Sequence, residues 1–177
     1  MVVVFLAQGF EEIEALATID VLRRAGLDVV TVGVNGLSVT GSHGITVCAD
    51  STTVPPFDQI QAVVLPGGMP GTTHLDESVL VDTCLQKISN DCLLCAICAA
   101  PLVLGKRGLL RGKRATCYPG FESYLHGALT AGNAVETDGN YITAKGAGVA
   151  IDFALTIVAQ LISPEKAKEI GDTMQCQ

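Results

Sequence analysis

Short apolar runs alternate along this chain with longer stretches in which apolar and polar residues recur at helical spacing. Glycine, proline or a turn residue marks most of the changes. Residues 2–7 are continuously apolar, which predicts a strand covered on both faces. Residues 10–25 predict a helix. Glu11, Glu12 and Glu14 suit its positive end, Gly26 suits its stop, and Ile13, Leu16, Ala17 and Val21 form the expected inward stripe. A second strand is expected at 28–34, then a small β-hairpin at 37–40 and 45–48 around Gly41-Ser42-His43-Gly44. Another apolar run, 61–65, leads into Pro66-Gly67-Gly68-Met69-Pro70-Gly71. A helix at 77–89, a strand at 93–97 and a helix at 99–104 closed by Gly105 are expected next. A short strand at 114–117 follows, then strands at 134–136 and 141–144 about a turn at Asp138-Gly139, and a helix at 149–161. Ser163-Pro164 caps a last helix from Glu165.

Alternating strands and helices with short connections predict one α/β domain over residues 1–177. Its sheet is mostly parallel, with helices on both faces and the small hairpin beside it. Ligands of such sheets bind beyond the carboxyl ends of the strands. That rule gathers three segments: the loop 8–14, the glycine loop 66–71, and the break after the strand 93–97.

The last of these carries the candidate chemistry. In Leu93-Leu94-Cys95-Ala96-Ile97-Cys98-Ala99-Ala100-Pro101 a buried strand turns into a helix with a cysteine at the turn. Pro101 suits the first helical turn, where its missing N–H costs nothing. A thiol there faces the free N–H groups of a helix start, which favour the thiolate and are expected to lower its pKa. Serine hydrolases hold their nucleophile on such an elbow. On these residues alone Cys98 is equally readable as a packed thiol, since free cysteine is among the most buried residue types.

Composition narrows the classes. With 49% apolar residues and a mean hydropathy of +0.44, the chain is rich in core-forming residues, yet no apolar run approaches the about 18–20 residues of a membrane span. The first apolar segment lacks a basic start and runs into Gln8-Gly9-Phe10-Glu11-Glu12, so a first strand of a cytoplasmic protein is expected rather than a signal peptide. A net charge of −7 disfavours nucleic acid, and Lys106, Arg107, Lys113 and Arg114 read as a solvated turn. Seven cysteines without a signal peptide do not predict a disulfide framework. Cys92, Cys95 and Cys98 have a metal-like spacing, but strand alternation turns Cys95 away from the other two, so no metal is expected. Gly146-Ala147-Gly148 lacks the context of a dinucleotide loop, and no organic cofactor is expected.

Three motifs taken together carry a family resemblance. Gly9-Phe10-Glu11-Glu12-Ile13-Glu14-Ala15, Leu65-Pro66-Gly67-Gly68 and Ala96-Ile97-Cys98-Ala99-Ala100-Pro101 resemble the ThiJ/PfpI superfamily in order and spacing. The likeness is to its branch of the parkinsonism-associated protein deglycase, and it extends to Asp152-Phe153-Ala154-Leu155. It implies a flavodoxin-like sandwich, a homodimer, and Cys98 as nucleophile. It also implies a protonated Glu14 donating to the sulfur, and an oxyanion hole from the N–H groups of Gly68 and Ala99 beside Gly67. Without the resemblance, Glu14 reads more readily as a dipole-compensating surface charge, and Pro66-Gly67-Gly68 alone does not exclude an ordinary turn.

The chain departs from that family in four places. Tyr118 stands where some members carry a histidine beside the cysteine, and tyrosine, with an ordinary pKa near ~10, is a poor base at neutral pH. His43 replaces a hairpin arginine, Lys145-Gly146-Ala147-Gly148 replaces a Gly-Pro-Gly loop, and no long final helix is expected after Gly171. His74 and His126 are not expected to act as bases. Cys48 and Cys117 read as packed thiols, with a resolving role for oxidised Cys98 as the alternative. The expected function is a cysteine-dependent glyoxalase or deglycase acting on small 2-oxoaldehydes such as methylglyoxal, in the cytoplasm. The alternatives are a redox sensor or chaperone acting through Cys98 and, last, a peptidase or amidase.

Overall fold

The computed structural model describes residues 1–176. Its strands are β1 (Val2–Leu6), β2 (Val29–Gly33), β3 (Ser38–Thr40), β4 (Thr46–Cys48), β5 (Ala62–Leu65), β6 (Leu93–Ile97), β7 (Arg114–Ala115), β8 (Leu129–Thr130), β9 (Val135–Asp138) and β10 (Tyr141–Ala144). Its helices are α1 (Glu12–Arg24), α2 (Gly71–Asp76), α3 (Val79–Lys87), α4 (Pro101–Lys106), α5 (Ala150–Leu161) and α6 (Pro164–Thr173). Six strands form one sheet in the order β2-β1-β5-β6-β10-β9. All neighbours are parallel except the edge strand β9, which turns back on β10 through Gly139 and Asn140. A two-residue connection permits only an antiparallel pair, and Gly139 supplies the positive φ, +61°, that such a turn uses.

The continuous apolar strands bury both faces. On one face Val2, Val4 and Leu6 of β1 pack with Ala15, Leu22, Phe153 and Ile157 under α1, α5 and α6. On the other, Val3 and Phe5 pack with Leu75, Leu85 and Leu104 under α2, α3 and α4. Cys95 lies in the first core and Cys92 in the second, as strand alternation predicts, but Cys98, past the strand end at φ +64°, packs against the first core with Cys95 rather than on the side of Cys92. Helix α1 ends as expected: Gly26 has φ +82°, and the N–H of Leu27 reaches back to the Leu22 carbonyl.

Several expectations need correction. Of the expected stripe on α1, Val21 is buried and Leu16 and Ala17 pack half-buried on the core, but Ile13 is 57% exposed, and Ala15, Thr18, Ile19 and Leu22 complete the inward face, with Glu12 and Glu14 buried as well. The polar N-terminal turn faces the carboxyl ends of the strands, and that rotates the stripe. Gly105 does not close α4 but lies within it, because Leu125 and Tyr124 pass too close for a side chain there. The segment 71–76 forms α2, unexpected because its Gly-Thr-Thr-His start carries no apolar period. The strand predicted at 114–117 is the two-residue β7, paired in parallel with the unpredicted β8. The basic cluster is the expected solvent-facing turn, and its cations are paired. Lys106 and Arg107 bridge to Asp76, Arg107 also to Asp82, Lys113 to Asp138 and Arg114 to Glu136.

Candidate active site

Three loops meet above β1, β5 and β6, and backbone hydrogen bonds fix their spacing. Glu11 N–H donates to Gly67 O at 2.9 Å, Gly71 N–H to Gly9 O at 3.1 Å, and Cys98 N–H to Ala144 O at 2.8 Å. The hairpin β3-β4 clamps the first loop: Gly9 N–H donates to Thr40 O and Ser42 N–H to Phe10 O. At the centre is Cys98, partly exposed, with φ +64°. A non-glycine residue in that region is strained, and the surrounding bonds hold it there. This is the geometry of an elbow nucleophile.

Glu14 reaches this centre from the first turn of α1. Glu11 caps the helix, accepting the Glu14 N–H at 2.7 Å, so Glu11 is the helix-start residue the sequence suggests. The Glu14 side chain is 1% exposed, and its Oε2 accepts the Gly67 N–H at 2.8 Å. Its Oε1 is buried and, apart from the Cys98 thiol, meets no partner among the described residues. A carbon at the Cβ position of Gly146 would be 3.9 Å from both that oxygen and the Cys98 sulfur. A side chain on Gly67 would collide with both Cys98 and Glu14, and one on Gly68, at φ +90°, with the Glu11 backbone. The N–H groups of Gly68 and Ala99 aim at the sulfur. Thus Cys98, Glu14, Gly67, Gly68 and Ala99 share one site. Tyr118 joins them, with its N–H on Cys98 O at 2.8 Å and its half-exposed ring against Gly146.

Burial pushes the Glu14 carboxyl up to about 7, opposed by the thiol and the Gly67 N–H. The elbow does not lower the thiol as expected. Burial first, then the charge of Glu14 and its hydrogen bond, push Cys98 up to about 12, only partly offset by the Ala99 and Gly68 N–H groups. The two groups therefore oppose each other's ionisation, and the pair holds a single charge over a wide range above neutrality.

Glu12 is the residue that sequence reasoning missed. Buried to 4% exposure, it accepts His43 N–H at 2.7 Å, Ile45 N–H at 3.3 Å and the Ser42 hydroxyl at 3.3 Å, with His43 Nδ1 2.9 Å away. Burial alone would raise it, but His43 and these N–H groups hold it at about 2. A glutamate at a helix start is already explained by the dipole, so nothing in the sequence singled it out. Glu11, Glu12 and His43 bring three ligand atoms within 4.8 Å of one another. Both Glu12 oxygens and Glu11 Oε2 are already occupied by hydrogen bonds at the positive end of α1, an arrangement that suits a clamp better than a cation. His74 Nδ1–H donates to Gln8 O at 2.7 Å, supporting the first loop, and His126 is exposed. Cys48 is exposed on β4; Cys117 is buried, its thiol pushed up to about 11 by burial.

The DJ-1/PfpI family description matches residues 1–160. The chain belongs to the DJ-1/PfpI family. Relatives within it include Protein dj-1beta of Drosophila melanogaster, 40% identical over 95% of this chain and 92% of that one. Protein DJ-1 homolog B of Arabidopsis thaliana is 41% identical over 96% of this chain, which spans only 40% of that longer relative and 46% of homolog A. The glutathione-independent glyoxalase DJR-1.2 of Caenorhabditis elegans is 33% identical over 90% of this chain and 87% of its own. The crystal structure of a DJ-1 superfamily protein from Salmonella typhimurium superposes with a TM-score of 0.93 and 35% identity, covering 99% of this chain and 98% of that one. The DJ-1 fold accounts for the flavodoxin-like arrangement, with its mostly parallel sheet and small hairpin.

Proposed function

We propose that this chain is a cysteine-dependent, glutathione-independent glyoxalase or deglycase acting on methylglyoxal-like 2-oxoaldehydes. The observation that carries this is the buried Glu14 carboxyl, with no partner for its Oε1 but the Cys98 thiol, beside a sulfur that also receives the Gly68 and Ala99 N–H groups. A pair that holds one charge rests as a thiol with a carboxylate and can pass to a thiolate with a carboxylic acid, a shift that the N–H groups beside the sulfur ease. In the latter form the sulfur adds to the aldehyde carbon, and the carbonyl oxygen takes the Glu14 proton, giving a hemithioacetal. The Glu14 carboxylate then removes the hydrogen from that carbon and returns a proton to the neighbouring one, while the hydroxyl proton passes to the former ketone oxygen, leaving a thioester of the 2-hydroxy acid. Water hydrolyses it to the 2-hydroxy acid and frees the thiol, so substrate plus one water equals product. Gly68 and Ala99 N–H groups stabilise the oxygen charge, and Tyr118 forms one wall. A DJ-1/PfpI relative named a glutathione-independent glyoxalase supports the assignment.

In this reading the chain needs no cofactor or metal, works in the cytoplasm and forms a homodimer through the groove between α1 and α5, where Ile13 and Ile151 are exposed beside Ala17. The test is Glu14→Gln. Lactate formation from methylglyoxal should fall about a hundredfold or more, while Cys98 remains open to alkylation. Unchanged lactate formation would remove Glu14 from the mechanism.

A second reading, a redox sensor or chaperone, is favoured by the partial exposure of Cys98 while Cys84, Cys92, Cys95 and Cys117 are buried. Stoichiometric peroxide modifying Cys98 ahead of the other cysteines supports it; even modification removes it. A peptidase or amidase ranks last, because Tyr118 takes the place of a base.

A further inference from the structure

Acidic groups dominate one side of the site: Glu14 beneath the sulfur, and Glu11 and Glu12 behind it at the start of α1. The opposite side is the end of β10, and it carries a cation. Lys145 follows Ala144, whose carbonyl accepts the Cys98 N–H, and its own N–H donates to Ala134 O at 3.0 Å. It precedes Gly146, the residue that faces both Cys98 and Glu14. The backbone of Lys145 is therefore pinned beside the nucleophile.

Lys145 is partly buried and lines two adjoining concavities. One is an open groove of about 360 Å³ with Tyr118 and Gly146, and the other a smaller cavity of about 140 Å³ with Cys117 and Glu122. Eight other lysines and arginines are held in ion pairs: Arg23, Arg24, Lys106, Arg107, Lys113, Arg114, Lys166 and Lys168. Lys145 has no carboxylate within ion-pair distance among the described residues. Glu122, the acid sharing its cavity, accepts the Gly120 N–H at 2.8 Å. A cation kept out of such pairs, beside an open groove next to a reactive sulfur, is placed to meet an anion brought by the substrate.

We propose that Lys145 is a specificity-determining residue that selects 2-oxoaldehydes bearing a carboxylate on the tail beyond the ketone. The aldehyde carbon sits at Cys98, its oxygen at the Gly68 and Ala99 N–H groups, and the tail runs along Tyr118 toward Lys145. The ammonium attracts the carboxylate, and the acidic side of the site repels it, so charge sets the direction in which substrate lies. The substrate class rests on the glyoxalase reading above; the placement of the cation does not.

Two measurements separate these. The first is the rate at which iodoacetate and iodoacetamide alkylate Cys98, followed at that residue by mass spectrometry. Both form the same sulfur–carbon bond and release iodide, but only iodoacetate is charged. The iodoacetate-to-iodoacetamide ratio should fall about fivefold in Lys145→Met, the scale of one partly screened charge, and be largely retained in Lys145→Arg. A packing defect would move both rates together and leave the ratio unchanged, which overturns the proposal. The second is kcat/KM for 4,5-dioxopentanoate relative to methylglyoxal. That ratio should fall by a similar factor in Lys145→Met, through KM, and recover in Lys145→Arg; an unchanged ratio also overturns the proposal. If neither aldehyde is turned over by the wild type, the glyoxalase reading and with it the substrate class fail, and the alkylation ratio alone decides whether Lys145 receives anions.

Discussion

Glu14 sits at the junction of stability and chemistry, because burial makes its charge costly and catalysis needs its proton. Its carboxyl is raised from 4.5 to about 7 by burial. The folded state therefore holds a proton that the unfolded chain releases, and stability is lost as pH rises between about 4.5 and 7. Above that range the cost is constant, on the order of 3 kcal/mol. Glu14→Gln keeps an oxygen for the Gly67 N–H and removes the charge. Its melting temperature should match wild type near pH 4.5, rise above it as pH approaches 7, and stay above it in alkali, while lactate formation is lost. Thermal unfolding from pH 4.5 to 8.5 checks this; a difference independent of pH would contradict the buried-proton account.

Elements bring that residue to Cys98, and the hairpin β3-β4 does so through Glu12. Here the sign is reversed. The carboxylate is held at about 2 by His43 and neighbouring N–H groups, so its stabilisation is present above pH 4.5 and lost as pH falls toward 2. Glu12→Gln should destabilise the protein by roughly 2 kcal/mol at pH 7 and loosen the hairpin, read as faster hydrogen exchange at the Ser42 and His43 amides. Wild-type exchange at those amides would show that Glu12 is not the clamp. In α4, Gly105→Ala would press a methyl group on Leu125 and the Tyr124 carbonyl. A loss of about 1–3 kcal/mol in denaturant unfolding is expected, and no loss would mean that the 122–125 turn yields freely. These two elements also mark what the sequence made legible. Strand β6 was readable to the residue, since a wholly buried parallel strand is continuously apolar and Pro101 marks the helix behind it. The rotation of α1 was not readable: Ile13 looks like a core residue by period, whereas contacts distant in sequence, from Gly67 and Ser42, bury Glu14 and Glu12 instead. Gly105 likewise looks like a helix stop until the 122–125 turn is known to cross it. Cys98 and its elbow were visible locally, but the raised thiol depends on Glu14, 84 positions away in the chain.

At the scale of the whole molecule, two apolar cores on either face of one sheet leave a further apolar strip on the outside. Ile13 at 57% exposure and Ile151 at 39% lie on the groove between α1 and α5, a few residues from Glu14 and from the Gly146 loop. A homodimer through this face would brace both catalytic segments. Ile13→Glu should then shift the protein from dimer to monomer in sedimentation velocity at micromolar concentration; a monomeric wild type, or a variant that remains dimeric, would place the interface elsewhere or remove it. The net charge of −7 gives the surface an overall repulsion for anionic ligands, against which Lys145 is a local exception beside the sulfur.

The most direct test of the central claim is lactate formation from methylglyoxal without glutathione, in wild type and Cys98→Ala, with Cys98 of the wild type confirmed reduced. Lactate produced by the wild type and lost in the variant is the predicted result. A reduced wild type that forms no lactate, or a variant that forms it equally well, would contradict cysteine-dependent glyoxalase chemistry at this site.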